Sequence, residues 1–186
     1  MIDLEFGELP RFIVVEGEGV EVETSFRAWL RFGRLAAEHG IVSPHILKGE
    51  PHGDWRPAAV EFYKSDNPCP RDFGGGEERA VDLALDGDYV VGAFQQAYGI
   101  DLTEGDMHWH RFLALLRSLP SDTKLMEIAS YRTWRKRNTT QDAIMRELRR
   151  EWALPAKDRP MPRVSKAAQD FLDANEQHIR ELMREV

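Results

Sequence analysis

Apolar residues recur at helical spacing along most of this sequence. The clearest stripe runs through Trp109, Phe112, Leu113 and Leu116, which follow the i, i+3, i+4, i+7 rule of an amphipathic helix until Pro120 stops it. Five other segments show the same periodicity and are predicted to be helices: residues 26–39, 54–66, 86–98, 121–132 and 139–152. We therefore expect a mainly α protein.

Capping residues predict where these helices begin and end. Side chains that can accept a backbone N–H precede three of the helices: Thr24 or Ser25, Ser121 or Asp122, and Thr139 or Thr140. Gly40 and Gly99 are expected to end two of them, because glycine readily adopts the left-handed conformation of a C-terminal cap. The helix over residues 26–39 is expected to bury the stripe Phe26, Trp29, Leu30, Gly33 and Ala37. The helix over residues 139–152 is expected to bury Ile144, Leu148 and Trp152. Five aromatic residues are assigned to structure: Trp29, Tyr89, Phe94, Trp109 and Phe112.

Two short strands, Phe12–Val15 and Val20–Glu23, are predicted around a Glu-Gly-Glu-Gly turn near the N-terminus. Alternation places Val20 and Val22 on one face and glutamates on the other. A hairpin by itself is marginally stable in water, so we expect it to lie on the helices that follow. Its acidic face is interpreted as a solvated surface, with binding of a basic partner as the alternative.

The C-terminal part is predicted to be a connector followed by a helix. Three prolines indicate a semi-extended connector over residues 154–164, and residues 165–186 are predicted to form one amphipathic helix. The organisation is therefore a hairpin plus a compact multi-helix domain over residues 1–153, the connector, and the tethered C-terminal helix. Within that helix we predict an exchangeable partner-binding surface: Phe171, Leu172, Ile179, Leu182 and Met183. The pattern leaves open whether the helix docks on a partner or on its own domain.

A His-Trp-His stretch raises the question of a metal site at His108 and His110. Histidines two positions apart share a face on a strand, whereas on a helix they are separated by roughly 200°. Because the segment has helical periodicity, we expect the two rings to diverge and predict no metal there. His39, His45 and His52 lie in an expected loop with spacings that match no common zinc pattern.

Composition argues against several classes of function. With a formal net charge of −7, a general electrostatic affinity for nucleic acid is not expected. No apolar run approaches the roughly 20 residues that cross a bilayer, so no membrane partner is expected. Cys69, the single cysteine, and the loop glycines Gly74–Gly76 match no nucleophile motif and no phosphate-binding motif. We therefore predict a protein that is not an enzyme and has no cofactor.

Charge is distributed unevenly along the chain. Residues 1–24 hold seven acidic residues and one basic residue, whereas residues 131–151 hold seven basic residues and three acidic ones. Such a contrast is typical of self-association or of attraction between the two ends of one molecule. A homo-oligomer is therefore among the expected states.

Five segments occur in an order that resembles a known family: TSFRAWLRF, AVEFYKSDNPCP, GDYVVGAFQQAYGIDL, MHWHRFLALLRSLPSDTKLMEIASYR and LRREWALP. They resemble the bacteriophage "gene product fifteen" family over roughly residues 20 to 155. The resemblance is most specific at Tyr98–Leu102 and at the pair His108 and Trp109 followed by Phe112. Members of the family often carry a second tryptophan where this chain has His110.

The resemblance implies a phage tail assembly chaperone. Genes of this family lie in the operons of long-tailed phages, between the tail tube gene and the tape-measure gene. That position implies a non-catalytic protein that keeps the tape-measure protein soluble until the tube polymerises around it. The implied partners are the tape-measure protein and the tail tube protein, met in the host bacterial cytoplasm, with the chaperone absent from the mature virion. A structural tail or connector component retained in the virion is the alternative.

Overall fold

The described part of the protein is mainly helical, with one small hairpin. The computed structural model describes residues 7–50, 53–65, 80–136 and 140–155. Within these ranges the elements are β1 (Phe12–Val15), β2 (Glu18–Glu21), α1 (Phe26–His39), α2 (Arg56–Lys64), α3 (Gly87–Tyr98), α4 (Trp109–Arg117), α5 (Lys124–Arg132) and α6 (Asp142–Glu151). A short 3-10 helix, Pro44–Ile46, lies between α1 and α2. The predicted fold class is confirmed.

Several predicted features lie outside the described residues. Most of the connector, residues 154–164, and the whole C-terminal helix, residues 165–186, fall beyond residue 155. The loop that holds Cys69 and Gly74–Gly76 falls in the gap between residues 65 and 80. These features stay predictions.

The hairpin closes through a two-residue turn, so β2 begins earlier than the predicted Val20. Val15 pairs with Glu18, which leaves only Glu16 and Gly17 in the turn. Both turn residues have positive φ, at 50° and 89°. Tight hairpin turns require this conformation because their twist then matches that of the paired strands.

The inward face of the hairpin belongs to the core. Ile13 and Val15 are buried, and Val22, which directly follows β2, is fully buried as well. The Val22 N–H donates to the carbonyl of Arg11 at 2.9 Å, which extends the pairing past the last residue of β2. The predicted valine face is confirmed, since Val20 is half-buried on the same side.

Local capping sets both ends of α1 and the end of α3. The Ser25 hydroxyl accepts a hydrogen bond from the backbone N–H of Arg27 at the start of α1. Gly40 and Gly99 end α1 and α3 with φ of 65°. Only glycine adopts this left-handed conformation without a steric cost to a Cβ, so the two predicted ends are confirmed.

The starts of α5 and α6 differ from the prediction. Thr123 precedes α5, and Gln141 precedes α6, where the sequence suggested residues 121–122 and 139–140. Neither side chain caps its helix. Thr123 is instead fully buried, and its hydroxyl donates to the carbonyl of Pro120 at 3.0 Å. The packing of this turn, and not a local cap, sets the start of α5.

Stacked aromatic rings form the centre of the core. Trp29, Phe94, Trp109 and Phe112 are at most 1% exposed, which confirms that they are structural. Phe112 lies between Phe26 and Phe94, with ring centroids 4.9 Å and 5.3 Å away. Aromatic pairs add about 0.5–1.5 kcal/mol beyond the burial of their area. The stack therefore joins α1, α3 and α4.

The buried stripe of α1 differs from the prediction at two positions. Phe32 is buried, whereas Ala37 in the last turn of α1 is exposed. Phe32 packs edge-on against Trp29 at 5.2 Å and contacts Tyr63 of α2 at 5.6 Å. Gly33 allows this approach of α2, because a Cβ added there would overlap the Tyr63 hydroxyl.

Two side chains of α4 bind carbonyls at the end of α2. The indole N–H of Trp109 donates to the carbonyl of Tyr63 at 2.9 Å. Nε2 of His110 lies 2.9 Å from the carbonyl of Phe62 and donates to it. A helix leaves its last four carbonyls without intrahelical partners, so these bonds attach the end of α2 to α4.

A buried ion pair joins the start of α3 to the end of α5. Arg132 donates to both carboxylate oxygens of Asp86, at 2.6 Å and 2.9 Å. It also donates to the carbonyls of Ala80 and Trp152, at 3.0 Å and 2.7 Å. Arg132 therefore holds the ends of α3, α5 and α6 together.

Candidate functional site

The two histidines of the His-Trp-His stretch lie side by side. His108 is the residue that precedes α4, with an extended backbone, and His110 lies in the first turn. Their ring centroids are 5.4 Å apart. The prediction that the rings diverge was wrong because His108 lies outside the helix, where the helical angle between neighbours does not apply.

Hydrogen bonds fix the tautomers of both rings. His108 Nδ1 accepts the backbone N–H of His110, so its Nε2 carries the hydrogen and donates to the carbonyl of Pro10 at 2.8 Å. His110 Nε2 donates to the carbonyl of Phe62, and its Nδ1 is buried without a hydrogen-bond partner in the described structure. The pair thereby links the segment before β1, the end of α2 and the start of α4.

Burial keeps both imidazoles neutral near pH 7. The pKa of His110 is lowered from 6.5 to about 4, chiefly because burial removes the ring from water. The Phe62 carbonyl opposes this shift, and the adjacent His108 contributes to it. Burial also lowers the pKa of His108. Neutral rings with defined donors suit a structural link between elements. Among the described residues, no group of three or more His, Cys, Asp or Glu side chains could hold a metal ion.

His39 and His45, which were predicted to lie in a loop, have other partners. His45 contacts the Ser43 hydroxyl at 2.9 Å and donates to the Ala28 carbonyl at 3.0 Å, and burial lowers its pKa. His39 lies at the end of α1 beside Glu38. His45 therefore attaches the 3-10 helix to α1, while His52 lies outside the described residues.

Exposed apolar side chains mark the outer face of the hairpin. Phe12 is 57% exposed and Val14 is 68% exposed, and both lie on the side of β1 opposite the core. In the register of the hairpin they pair with Glu21 and Gly19. The outer face is therefore not purely acidic, as alternation within β2 alone had suggested. The run Phe12–Val15, apolar on both faces, carries the signal that would have predicted this.

Another exposed apolar residue lies on α6. Ile144 is 64% exposed, although the pattern predicted it in the buried stripe with Leu148 and Trp152. Asp142 is buried, and a residue two positions later on a helix points roughly 200° away. Leu148 and Trp152 are half-buried, and Trp152 packs edge-on against the half-buried Tyr89 at 5.9 Å. α6 is thus covered on one side.

The predicted partner-binding residues lie outside the part of the chain that the structure describes: Phe171, Leu172, Ile179, Leu182 and Met183. In the part of the chain that the structure describes, no helix is long and apolar enough to cross a membrane.

The described part of the fold is thus mainly α, and the buried side chains of His110, Asp86 and Arg132 hold helices together. A family model described as "Bacteriophage Gp15 protein" matches residues 53–154, which is more than half of the chain and includes α2 to α6. The protein therefore belongs to the bacteriophage Gp15 family, and it is a phage structural or tail-related protein. The resemblance read from the sequence is confirmed for this segment. No curated protein and no solved structure matches the chain.

Proposed function

We propose that this protein is a non-catalytic tail assembly chaperone that binds the tape-measure protein and keeps it soluble in the host bacterial cytoplasm. The observation that carries the proposal is the match of residues 53–154 to the Gp15 family. The position of the family's genes, between the tail tube gene and the tape-measure gene, supports this role. On this proposal the chaperone leaves before the virion is complete.

Physical properties of the chain support a carrier role. A tape-measure protein exposes apolar helical stripes before the tube surrounds it, and a helical partner can cover such stripes. Coverage has to be reversible because the tube replaces the carrier, so a moderate affinity with a polar rim is expected. The net charge of −7 favours solubility of the carrier and disfavours indiscriminate association.

The C-terminal segment is the proposed site of partner capture. The residues Phe171, Leu172, Ile179, Leu182 and Met183 recur at the spacing of a helical seam behind a proline-rich stretch. A tethered helix of this kind could exchange between partners without unfolding the domain that carries it. This part of the proposal stands on the sequence pattern alone.

Co-expression tests the proposed function directly. The tape-measure protein of the same phage is produced with and without this chain, and its soluble fraction and its co-purification with the tagged chain are measured. We expect soluble, co-purifying tape-measure protein only when the chain is present. Equal solubility in its absence would refute the chaperone role.

Two variants test the C-terminal segment. Replacing the five seam residues with serine should leave thermal unfolding of the domain unchanged and reduce capture. A matched control replaces Gln169 and Gln177 of the same segment with serine and should retain capture. If the seam variant captures as well as the parent, the segment is not the site. If its melting temperature falls by many degrees, the segment belongs to the folded core.

Mass spectrometry of purified virions separates the chaperone from the structural alternative. The chaperone proposal predicts that the chain is absent from mature particles. Several copies per particle would show that the protein is a tail or connector component.

A further inference from the structure

We propose that the outer face of the hairpin, formed by Phe12, Val14, Gly19 and Glu21, docks a basic amphipathic helix of the tape-measure protein. We refer to these four residues as the hairpin face. The inference rests on the proposed function and adds a surface and a partner chemistry to it. The hairpin precedes the segment that matches the Gp15 family, so family membership does not account for this surface.

The hairpin face presents an apolar ridge with the spacing of a helix. Phe12 and Val14 are two positions apart on one strand, which separates their side chains by about 6.6 Å. Residues i and i+4 of a helix are separated by about 6 Å along its axis. Successive apolar residues of an amphipathic helix can therefore contact both side chains at once.

A notch lies beside this ridge. Gly19 pairs with Val14 and has no side chain, and the atom nearest to the place of a Cβ is a ring carbon of Phe12 at 3.9 Å. The Phe12 ring partly covers the glycine, as aromatic residues do beside glycines in strands. The remaining space above Gly19 can receive a side chain from a partner helix.

Charge at the hairpin selects a basic partner. Between residues 7 and 24 the chain carries five glutamates and one arginine. Glu21 lies on the hairpin face itself, and Glu16 and Glu18 are exposed at and beside the turn. Glu21 lies 3.4 Å from Lys48, but both side chains are about half exposed, and such surface pairs exchange at little cost. Lysines or arginines that flank an apolar helical stripe would complement this rim.

The hairpin face is held in place before any partner arrives. Its other side buries Ile13 and Val15, and the ring of His108 donates to the carbonyl of Pro10, two residues before β1. A docking surface that is already ordered avoids part of the entropy lost on binding. The hairpin can therefore act as a fixed contact for a helix.

The experiment compares three variants of the full chain. Phe12→Ser with Val14→Ser removes the ridge, and Glu21→Lys reverses the charge on the hairpin face. Ile144→Ser on α6 is the matched control, because it replaces an apolar side chain of similar exposure at another place. Circular dichroism and thermal melting of each variant should match the parent, since the altered side chains are exposed.

Two probes measure binding. One is the co-expressed tape-measure protein. The other is a synthetic amphipathic peptide of about 18 residues, or five helical turns, with leucines along one stripe and lysines elsewhere. A second peptide has glutamate in place of every lysine. We expect each hairpin variant to weaken binding of the lysine peptide and of the tape-measure protein about tenfold or more, with Ile144→Ser unchanged. The glutamate peptide should not bind the parent.

The outcomes separate the two proposals. If the parent captures the tape-measure protein and both hairpin variants capture it equally well, the hairpin inference is wrong and the proposed function stands. If the lysine peptide binds through the hairpin face but the parent leaves the tape-measure protein insoluble, the proposed function is wrong and the inferred partner is wrong with it. Equal loss in Ile144→Ser would refute a specific role of the hairpin face.

Discussion

Acid should weaken the packing of α2 against α4 through a single histidine. His110 is almost fully buried, and its pKa is lowered from 6.5 to about 4, chiefly because burial removes it from water. The unfolded chain binds a proton at this residue below pH 6.5, whereas the folded chain resists it until about pH 4. Between these values protonation favours the unfolded state. The contribution of His110 to the free energy of unfolding is therefore fully present above pH 6.5 and is lost as the pH falls toward 4.

The size of the effect follows from the two pKa values of His110. One pKa unit corresponds to about 1.4 kcal/mol, so a drop from 6.5 to about 4 is worth roughly 3 kcal/mol when fully expressed. At pH 5.5 the loss from this residue should be about 1.4 kcal/mol, because the unfolded chain is then protonated and the folded chain is not. The lowered pKa values of His108 and His45 act in the same direction.

The assay is urea unfolding of the parent and of His110→Gln at pH 7.5, 6.5 and 5.5, followed by circular dichroism. Glutamine keeps an N–H that can donate to the Phe62 carbonyl, but it does not titrate. Carboxylates and the other histidines titrate in both proteins, so the difference between their free energies of unfolding isolates His110. We expect the parent to lose about 1.4 kcal/mol more than the variant between pH 7.5 and 5.5. A difference that stays constant across this range would refute the reasoning.

Two further predictions concern buried contacts and use urea unfolding at pH 7.5. Arg132→Met should lower the free energy of unfolding by about 3–5 kcal/mol, because it leaves Asp86 buried without its partner. Adding Asp86→Leu to the same chain should recover part of that free energy. If the effects of the two substitutions simply add, the two residues are not directly coupled. Gly33→Ala should cost about 1–3 kcal/mol because the new methyl group displaces Tyr63, whose ring also stacks on Trp109 at 5.2 Å. A gain in stability would show that helix propensity outweighs the clash.

The elements of the fold could be predicted where the signal is local. Periodic apolar residues gave the helices, and Ser25, Gly40 and Gly99 gave three of their ends, because caps and amphipathic stripes depend on residues within a few positions of one another. The large aromatic residues were assigned to the core on the same grounds. Burial of Trp29 and Trp109 confirms this assignment.

Local patterns were less informative where an element ends or stands alone. β2 was placed two residues late because both registers satisfy the alternation, and the turn decides between them. Ile144 was predicted to be buried because it lies in line with the apolar stripe of its helix. The spacing of residues within a helix does not show which side of that helix another element covers. The contact between His108 and His110 was missed because helical periodicity does not show where the helix begins. The backbone is still extended at His108, one residue before α4.

Sequence alone therefore determined the class of the fold, most of its helices and its aromatic core, since these follow from the spacing of residues along the chain. Only the tertiary structure decided that Arg132 is an internal residue bound to Asp86, and that Phe12 and Val14 face outward. Partners separated by tens of residues meet because of how helices pack, and which side of a strand or helix is covered depends on elements far away in the sequence.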